Sequence, residues 1–290
     1  MTRRTILVTG ARGKTGREVV AQLKSTGDVT VRAGSRQPGP GGDTVRPVVF
    51  DWDGPTSWPS AVAGVDAVYL MRPDQPEAPE LIADLVASVP EAHVVLLSEQ
   101  GAEDLPEPSW ERRSEAAVTE AAASWTLLRP TWFDKVLTDP RFYLEALRDE
   151  DVLSLSSAGA AVSWVDARDI AAVAVAALRD PAAHAGHAYT VTGDEAITVA
   201  GVADLLSDSL GRRIRALDPP IDDALAGLDP WLTTSLRGVL QRVHDGVFAE
   251  VTDDVQRVTG RPPRPLQAFV REHASLWQRE DADALPAPVR

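Results

Sequence analysis

Residues 5–16 restrict what this chain can fold into more than any other stretch. Thr5–Thr9 (TILVT) is a short apolar, β-branched run that stops at Gly10. The run Gly10-Ala11-Arg12-Gly13-Lys14-Thr15-Gly16 then opens a helix over Thr15–Ser25, with Val19, Val20 and Leu23 on one face. A buried strand that turns on glycines straight into a helix is a unit of a parallel sheet. The alternation continues along the first half. Strands are expected at Val29–Ala33, Arg46–Phe50, Ala67–Met71, His93–Ser98 and Trp125–Arg129, with helices at Ser57–Ala63, Pro79–Val89 and Glu111–Ala123.

Short connections and regular alternation imply an α/β fold, a doubly wound and mostly parallel Rossmann sheet with helices on both faces. The second half is less regular. Phe142–Arg148 reads as a helix, Val152–Ser154 as a short strand, and Ser163–Val165 leads into the helix Ala167–Leu178. A strand at Tyr189–Thr192, a helix at Thr198–Leu210 closed by Gly211, and a helix at Val251–Thr259 ended by Gly260 follow. Residues 216–240 mix proline breakers with helical stretches, and Pro286 and Pro288 mark a tail expected to fray. The expected division is a cofactor-binding Rossmann core over residues 1–150 and a smaller mixed substrate-binding part over 151–290. Some strands of the second part should return to the sheet.

Composition removes several classes of function. Of 290 residues, 29 are Lys or Arg and 43 Asp or Glu, a net charge of −14. That balance disfavours nonspecific binding to nucleic acid and to anionic membranes. Cysteine is absent, so disulfides, thiolate nucleophiles and cysteine metal sites drop out together. The N-terminus enters a strand without the long apolar region of a signal peptide, and the most apolar helical run, Ile170–Leu178, is too short to span a bilayer. A cytoplasmic location is expected. His184-x-x-His187 lacks a third ligand close by, so no metal site is expected, and no nucleophile elbow of the G-x-S-x-G kind is present.

The glycine run carries the chemistry. Gly10, Gly13 and Gly16 allow a tight turn and close approach of a pyrophosphate, and the helix after them offers free N–H groups and a positive dipole end. Arg12, Lys14 and Thr15 complete this loop. A P-loop is excluded, because Gly13-Lys14-Thr15 would need glycine where Val8 stands. A site that prefers NAD places an acid at the end of the second strand to hold the ribose 2′-hydroxyl. Here Ala33-Gly34-Ser35-Arg36 offers a hydroxyl and a guanidinium, which suit a 2′-phosphate, so NADP(H) is the expected cofactor. Asp51 and Trp52 should reach the adenine edge, and Leu70, Met71 and Arg72 should pass beneath the ribose and nicotinamide. Ser98 and Pro130, at the ends of the fifth and sixth strands, complete the cofactor set.

The chain resembles the NmrA-like, atypical short-chain dehydrogenase/reductase group, which includes NAD(P)H-binding reductases and redox-sensing regulators. The resemblance rests on the glycine run at 10–16, Gly34-Ser35-Arg36, Gly64–Leu70, Val94–Ser98 with Gly101-Ala102, Trp125–Phe133, Val165–Ala171 and Tyr189–Gly193. It covers roughly residues 4–215. Typical short-chain dehydrogenases use a Tyr-x-x-x-Lys pair, in which lysine lowers the tyrosine pKa. Four positions after the three tyrosines here stand Pro73, Leu147 and Gly193, so no such pair exists. Carbonyl reduction that depends on the pair is disfavoured.

Polar groups at three strand ends remain as candidates. Glu99 could serve as a general acid if partly desolvated. Asp134 and Lys135 follow the sixth strand; Lys135 could pair with Asp134 or Asp74, or polarise a substrate oxygen. Asp74, Trp132 and Phe133 are the expected substrate contacts, the two aromatics as pocket walls. The leading expectation is an NADPH-dependent reductase of a small aromatic or polycyclic metabolite with an imine, enone or quinone-like group, because hydride transfer needs mostly positioning. The alternatives are a non-redox enzyme on the same fold, performing cyclisation or dehydration, and a non-enzymatic NADP(H)-sensing regulator. Self-association into a homodimer stays open.

Overall fold

A computed structural model describes residues 3–279; the tail around Pro286 and Pro288 lies outside the described residues. The described residues divide into two units, the first comprising 3–133, 163–194 and 250–264, and the second 134–162, 195–249 and 265–279. The chain first crosses from one unit to the other after Phe133.

The first unit begins with β1 (Arg4–Val8), α1 (Gly16–Thr26), β2 (Val29–Ser35), β3 (Val45–Val49) and α2 (Trp58–Val62). It continues with β4 (Ala67–Met71), α3 (Ala78–Ala87), β5 (His93–Leu97), α4 (Trp110–Ala121) and β6 (Ser124–Pro130). The chain then leaves for β7 (Val152–Ser154) and β8 (Ala161–Val162) of the second unit. It returns with α5 (Ala167–Arg179), α6 (Pro181–His184) and β9 (His187–Val191). Seven strands form one sheet in the order β3-β2-β1-β4-β5-β6-β9, and every neighbouring pair is parallel.

Strand periodicity explains the two helical layers. Successive side chains of a strand point to opposite faces, so Ile6 and Val8 join one buried cluster with Val19 and Leu23 of α1 and Ile170, Val173 and Ala174 of α5. Leu7, between them, joins the other cluster with Ile82 and Leu85 of α3 and Val118 of α4. Both faces are covered, which is why β5 continues after His93 as the apolar run VVLL and is buried throughout. Alanines let α5 lie close to the sheet with ten of its thirteen residues buried, and Asp166 caps it by accepting from the Arg168 N–H.

In the second unit, β10 (Ile197–Thr198) pairs antiparallel with β8, and β11 (Arg215–Leu217) pairs parallel with β7. Between them lies α7 (Val199–Leu210), opened by the Thr198 hydroxyl and closed by Gly211 at φ 63°. Helices α8 (Ile221–Ala224) and α9 (Pro230–His244) follow. After them α10 (Asp254–Thr259) belongs to the first unit and α11 (Leu266–His273) to the second. Trp277 is fully buried in the second unit, its indole N–H donating to the Leu137 carbonyl at 2.8 Å.

Two expected helices differ. Over Phe142–Arg148 the chain makes turns and then a π-helix at Ala146–Glu150, ended by Asp151 in the left-handed region at φ 58°. The helix expected from Val251 begins only at Asp254. Thr252 is drawn along the outer edge of β9 instead, its N–H donating to Thr192 and its hydroxyl to the Thr190 carbonyl, while Asp254 accepts the Thr190 N–H at 2.8 Å. These bonds satisfy polar groups of an edge strand that would otherwise be open. Among the described residues no helix is long and apolar enough to cross a membrane.

His93 on β5 is 2% exposed, with its ring nitrogens 2.7 Å from the Ser124 hydroxyl and 3.1 Å from that of Thr126. Burial, with smaller effects from His184 and Arg4, pushes its pKa down to about 4. The unfolded chain takes up this proton near pH 6.5, so this contribution is intact above that pH and is lost as the pH falls toward 4. The denaturant midpoint should therefore drop between about pH 7 and pH 5, and should drop less in His93→Gln. An equal slope in both proteins would contradict this assignment.

Candidate active site

The glycine turn is fixed by backbone contacts. Thr9 ties the end of β1 to β4: its N–H and its hydroxyl donate to the Tyr69 carbonyl at 3.0 and 3.1 Å, and its hydroxyl oxygen accepts the Met71 N–H at 2.8 Å. Gly10 then turns at φ 61°, with Met71 packed where a side chain would stand; a Cβ there would lie 2.6 Å from both Cε and Sδ. A Cβ on Gly16 would run into the Gly10 carbonyl oxygen. Neither position has room for alanine. Tyr69 donates to the Thr15 hydroxyl at 2.9 Å just before α1, and burial raises the phenol well above its usual range. It is a buried post, not an acid.

The same contacts prepare the turn for an anion. The Gly10 carbonyl accepts the Gly13 N–H at 2.8 Å, and the Arg12 and Gly13 carbonyls accept from the Arg17 guanidinium at 3.3 and 3.1 Å. Carbonyl dipoles that would repel a phosphate are thus occupied at the start of a helix whose dipole favours negative charge. Ala11 N–H donates to the Gly34 carbonyl at 3.0 Å and binds the turn to β2. At the end of β2 the Gln37 carbonyl accepts from both Arg12 and the Ser35 hydroxyl, each at 2.9 Å. Arg36 is exposed beside them, with no ion-pair partner among the described residues. Lys14 is half-buried on the turn.

Other expected cofactor contacts divide into side-chain and backbone positions. Asp51 organises the turn after β3, its carbonyl accepting the Trp58 indole N–H at 2.8 Å. Trp52 packs edge-on against Phe50 and Trp58, and its own buried indole N–H has no partner among the described residues. The Leu70 side chain belongs to the core, so it can offer only backbone. Ser98 is buried, and its hydroxyl donates to Glu115 at 2.6 Å; Glu115 in turn receives a two-pronged contact from Arg129 at 2.9 and 2.6 Å. The Pro130 carbonyl at the end of β6 accepts the Gln100 N–H at 3.0 Å.

Glu99, at the end of β5, meets Arg72 Nη2 at 2.6 Å. In this salt bridge Glu99 anchors the Arg72 guanidinium. Trp110, which opens α4, lies 4.0 Å from the Arg72 guanidinium carbon. Trp132 and Trp164 meet edge to face at 6.5 Å, and Phe133 bridges to Val165. Asp74 is exposed after β4. Asp134 and Lys135 belong to the second unit, in the short 3-10 helix Asp134–Thr138; Asp134 is buried and the Lys135 ammonium lies 5.6 Å from the Phe269 ring. Trp110, Glu115 and Arg129 were not singled out as site residues by sequence. A tryptophan opening a helix and a buried acid one turn inside it were the available signals.

Comparison with known proteins agrees with this geometry. A family model described as NAD(P)H-binding matches residues 10–181. The (4-alkanoyl-5-oxo-2,5-dihydrofuran-3-yl)methyl phosphate reductase of Streptomyces griseus is 34% identical, the match covering 95% of this chain and all of that one. The NAD(P)H azoreductase of Xenophilus azovorans is 32% identical over 94% of this chain and 99% of its own. Among solved structures, an NADPH-dependent quinone oxidoreductase of Escherichia coli in complex with NADPH superposes with a TM-score of 0.76 at 22% identity, covering 92% of this chain and 99% of that one.

Gly16→Ala should force the Gly10 carbonyl aside and weaken dinucleotide binding by about tenfold or more, by the cost of overpacking. Gly27→Ala is the control: Gly27 sits at φ 70° with nothing within 4 Å of its Cβ position, so it should cost about 1 kcal/mol of stability and leave affinity unchanged. Titration calorimetry and denaturation of both variants check this.

Proposed function

The chain belongs to the NAD(P)H-binding, NmrA-like Rossmann family and is an NAD(P)H-dependent oxidoreductase, and from that premise we propose that it uses NADPH to reduce a small conjugated metabolite. The observation that carries the cofactor preference is the end of β2. Arg12 and Ser35 converge on one carbonyl there, Arg36 extends beside them, and no acid stands in the segment Gly34–Gln37 to hold a ribose 2′-hydroxyl. Two guanidinium groups and a hydroxyl suit a 2′-phosphate. Residues 10–16 fit the pyrophosphate on their shape and occupied carbonyls.

The substrate class follows from what is missing and from what walls the strand ends. Bound NADPH supplies the hydride. Tyr69 is a buried post and no lysine stands four positions after any tyrosine, so the chain lacks the usual means of giving a proton to a simple ketone. A conjugated acceptor spreads the incoming charge and depends less on a strong acid. Trp132, backed by the buried Trp164, and Phe133 offer an aromatic wall for such a ring, in contacts each worth about 0.5–1.5 kcal/mol beyond burial. The names of the two curated relatives, an oxo-dihydrofuran phosphate reductase and an azoreductase, support an unsaturated acceptor. Glu99 anchors Arg72 in this reading.

Calorimetric titration of cofactor-stripped protein with NADPH, NADP+, NADH and NAD+ tests the cofactor assignment. The phosphorylated pair should bind more tightly, and Arg36→Ala should weaken NADPH by about tenfold, the loss of one charge-assisted contact, while leaving NADH unchanged. Equal binding of all four by the wild-type protein would remove the preference. Binding of none would remove the reductase reading.

A further inference from the structure

Arg72 is buried with its hydrogen bonding incomplete. It follows Met71, the residue packed against Gly10, and so borders the glycine turn at the carboxyl end of the sheet. Its Nη2 meets Glu99 at 2.6 Å, and the Trp110 ring lies 4.0 Å from its central carbon. Its Nη1 is buried without a partner among the described residues, in a side chain only 10% exposed. A buried donor left unpaired is destabilising. Strand ends of a doubly wound sheet are where ligands bind, and a donor held ready there calls for an acceptor.

Resting on the reductase reading above, we propose that Arg72 Nη1 donates to the carbonyl oxygen of the substrate, and that the substrates are conjugated carbonyl compounds, enones or quinones, and not iminium ions. Glu99 neutralises the guanidinium, so the pair suits a neutral oxygen that gains charge during the reaction. An iminium ion brings a positive charge toward Arg72 and offers Nη1 no acceptor. For an enone, as a hydride reaches the β-carbon, the C=C electron pair moves to form the enolate and the carbonyl π pair settles on oxygen. The Arg72 N–H bond to that oxygen strengthens as its charge develops. The α-carbon then takes its proton from solvent, so no tyrosine is required. Glu99 is a positioning residue that holds the guanidinium in place.

The test uses 4-nitrophenol, whose coloured phenolate imitates the enolate oxygen, with full-length protein saturated with NADP+. Spectrophotometric titration should show the bound phenol ionising at lower pH than the free one. In the double variant Arg72→Gln/Glu99→Gln, which removes both charges together, phenolate affinity at saturating NADP+ should fall by about tenfold or more. If that variant does not fold, Arg72→Lys, which keeps the charge but loses the second arm of the fork, should show the same loss in smaller degree. A wild-type protein that binds NADPH without preferring phenolate, or a variant that prefers it equally, overturns the role of Arg72 and leaves the reductase reading standing. Failure of the wild-type protein to bind NADPH overturns both.

Discussion

The contact on which the rest depends is the one between Gly16 and the Gly10 carbonyl. The first turn of α1 is pressed so closely against the end of β1 that Gly16 has no room for a Cβ, while the Met71 side chain fills the place of one at Gly10. That closeness places the helix start beside the strand end, and it lets Arg17 reach back to occupy two carbonyls of the turn. Packing alone thus gives residues 10–16 a shape, and a set of occupied carbonyls, that suit an anion at a helix start. Thr9 and Ala11 extend the constraint sideways, fixing the turn to β4 on one side and to β2 on the other.

Charges at neighbouring strand ends are arranged in closed pairs. Arg129 between β6 and α4 is satisfied by Glu115 and Glu103, and Glu115 also holds Ser98. Removing one partner of such a pair leaves a buried charge uncompensated, which costs far more than the intact pair contributes. Arg72 departs from that arrangement, with one arm paired and the other not. The incompletely used guanidinium and the glycine turn meet through Met71, which touches Gly10 and immediately precedes Arg72. The glycine turn and the polar strand-end group are therefore both tied to the carboxyl end of β4, which pairs with β1 and β5.

The Rossmann core was legible because each signal was local. The alternation of Leu7 against Ile6 and Val8, and the glycines directly after them, specify a strand covered on both faces and a turn into a helix. Contacts between distant residues were not legible. That Thr252 and Asp254 would follow β9 depends on an edge needing partners, and nothing at residues 251–254 signals it. That Ser98 would give its hydroxyl to Glu115, and Glu99 its charge to Arg72, depends on which strand ends become neighbours. Spacing along the chain brought Glu99 to notice as a polar group at a strand end, but only the fold supplies its counter-ion. Asp134 follows Phe133 in sequence and yet opens the other unit, a division that periodicity does not mark.

Hydrogen exchange with and without cofactor tests the central claim most directly. The claim is that residues 10–16 receive a dinucleotide and that the end of β2 distinguishes its 2′-phosphate. Saturating NADP+ should slow exchange of the amides over residues 11–16 and over 35–37, whereas saturating NAD+ should slow the first set and leave the second close to the free protein. Protection by neither nucleotide at residues 11–16, or equal protection of residues 35–37 by both, would contradict the account.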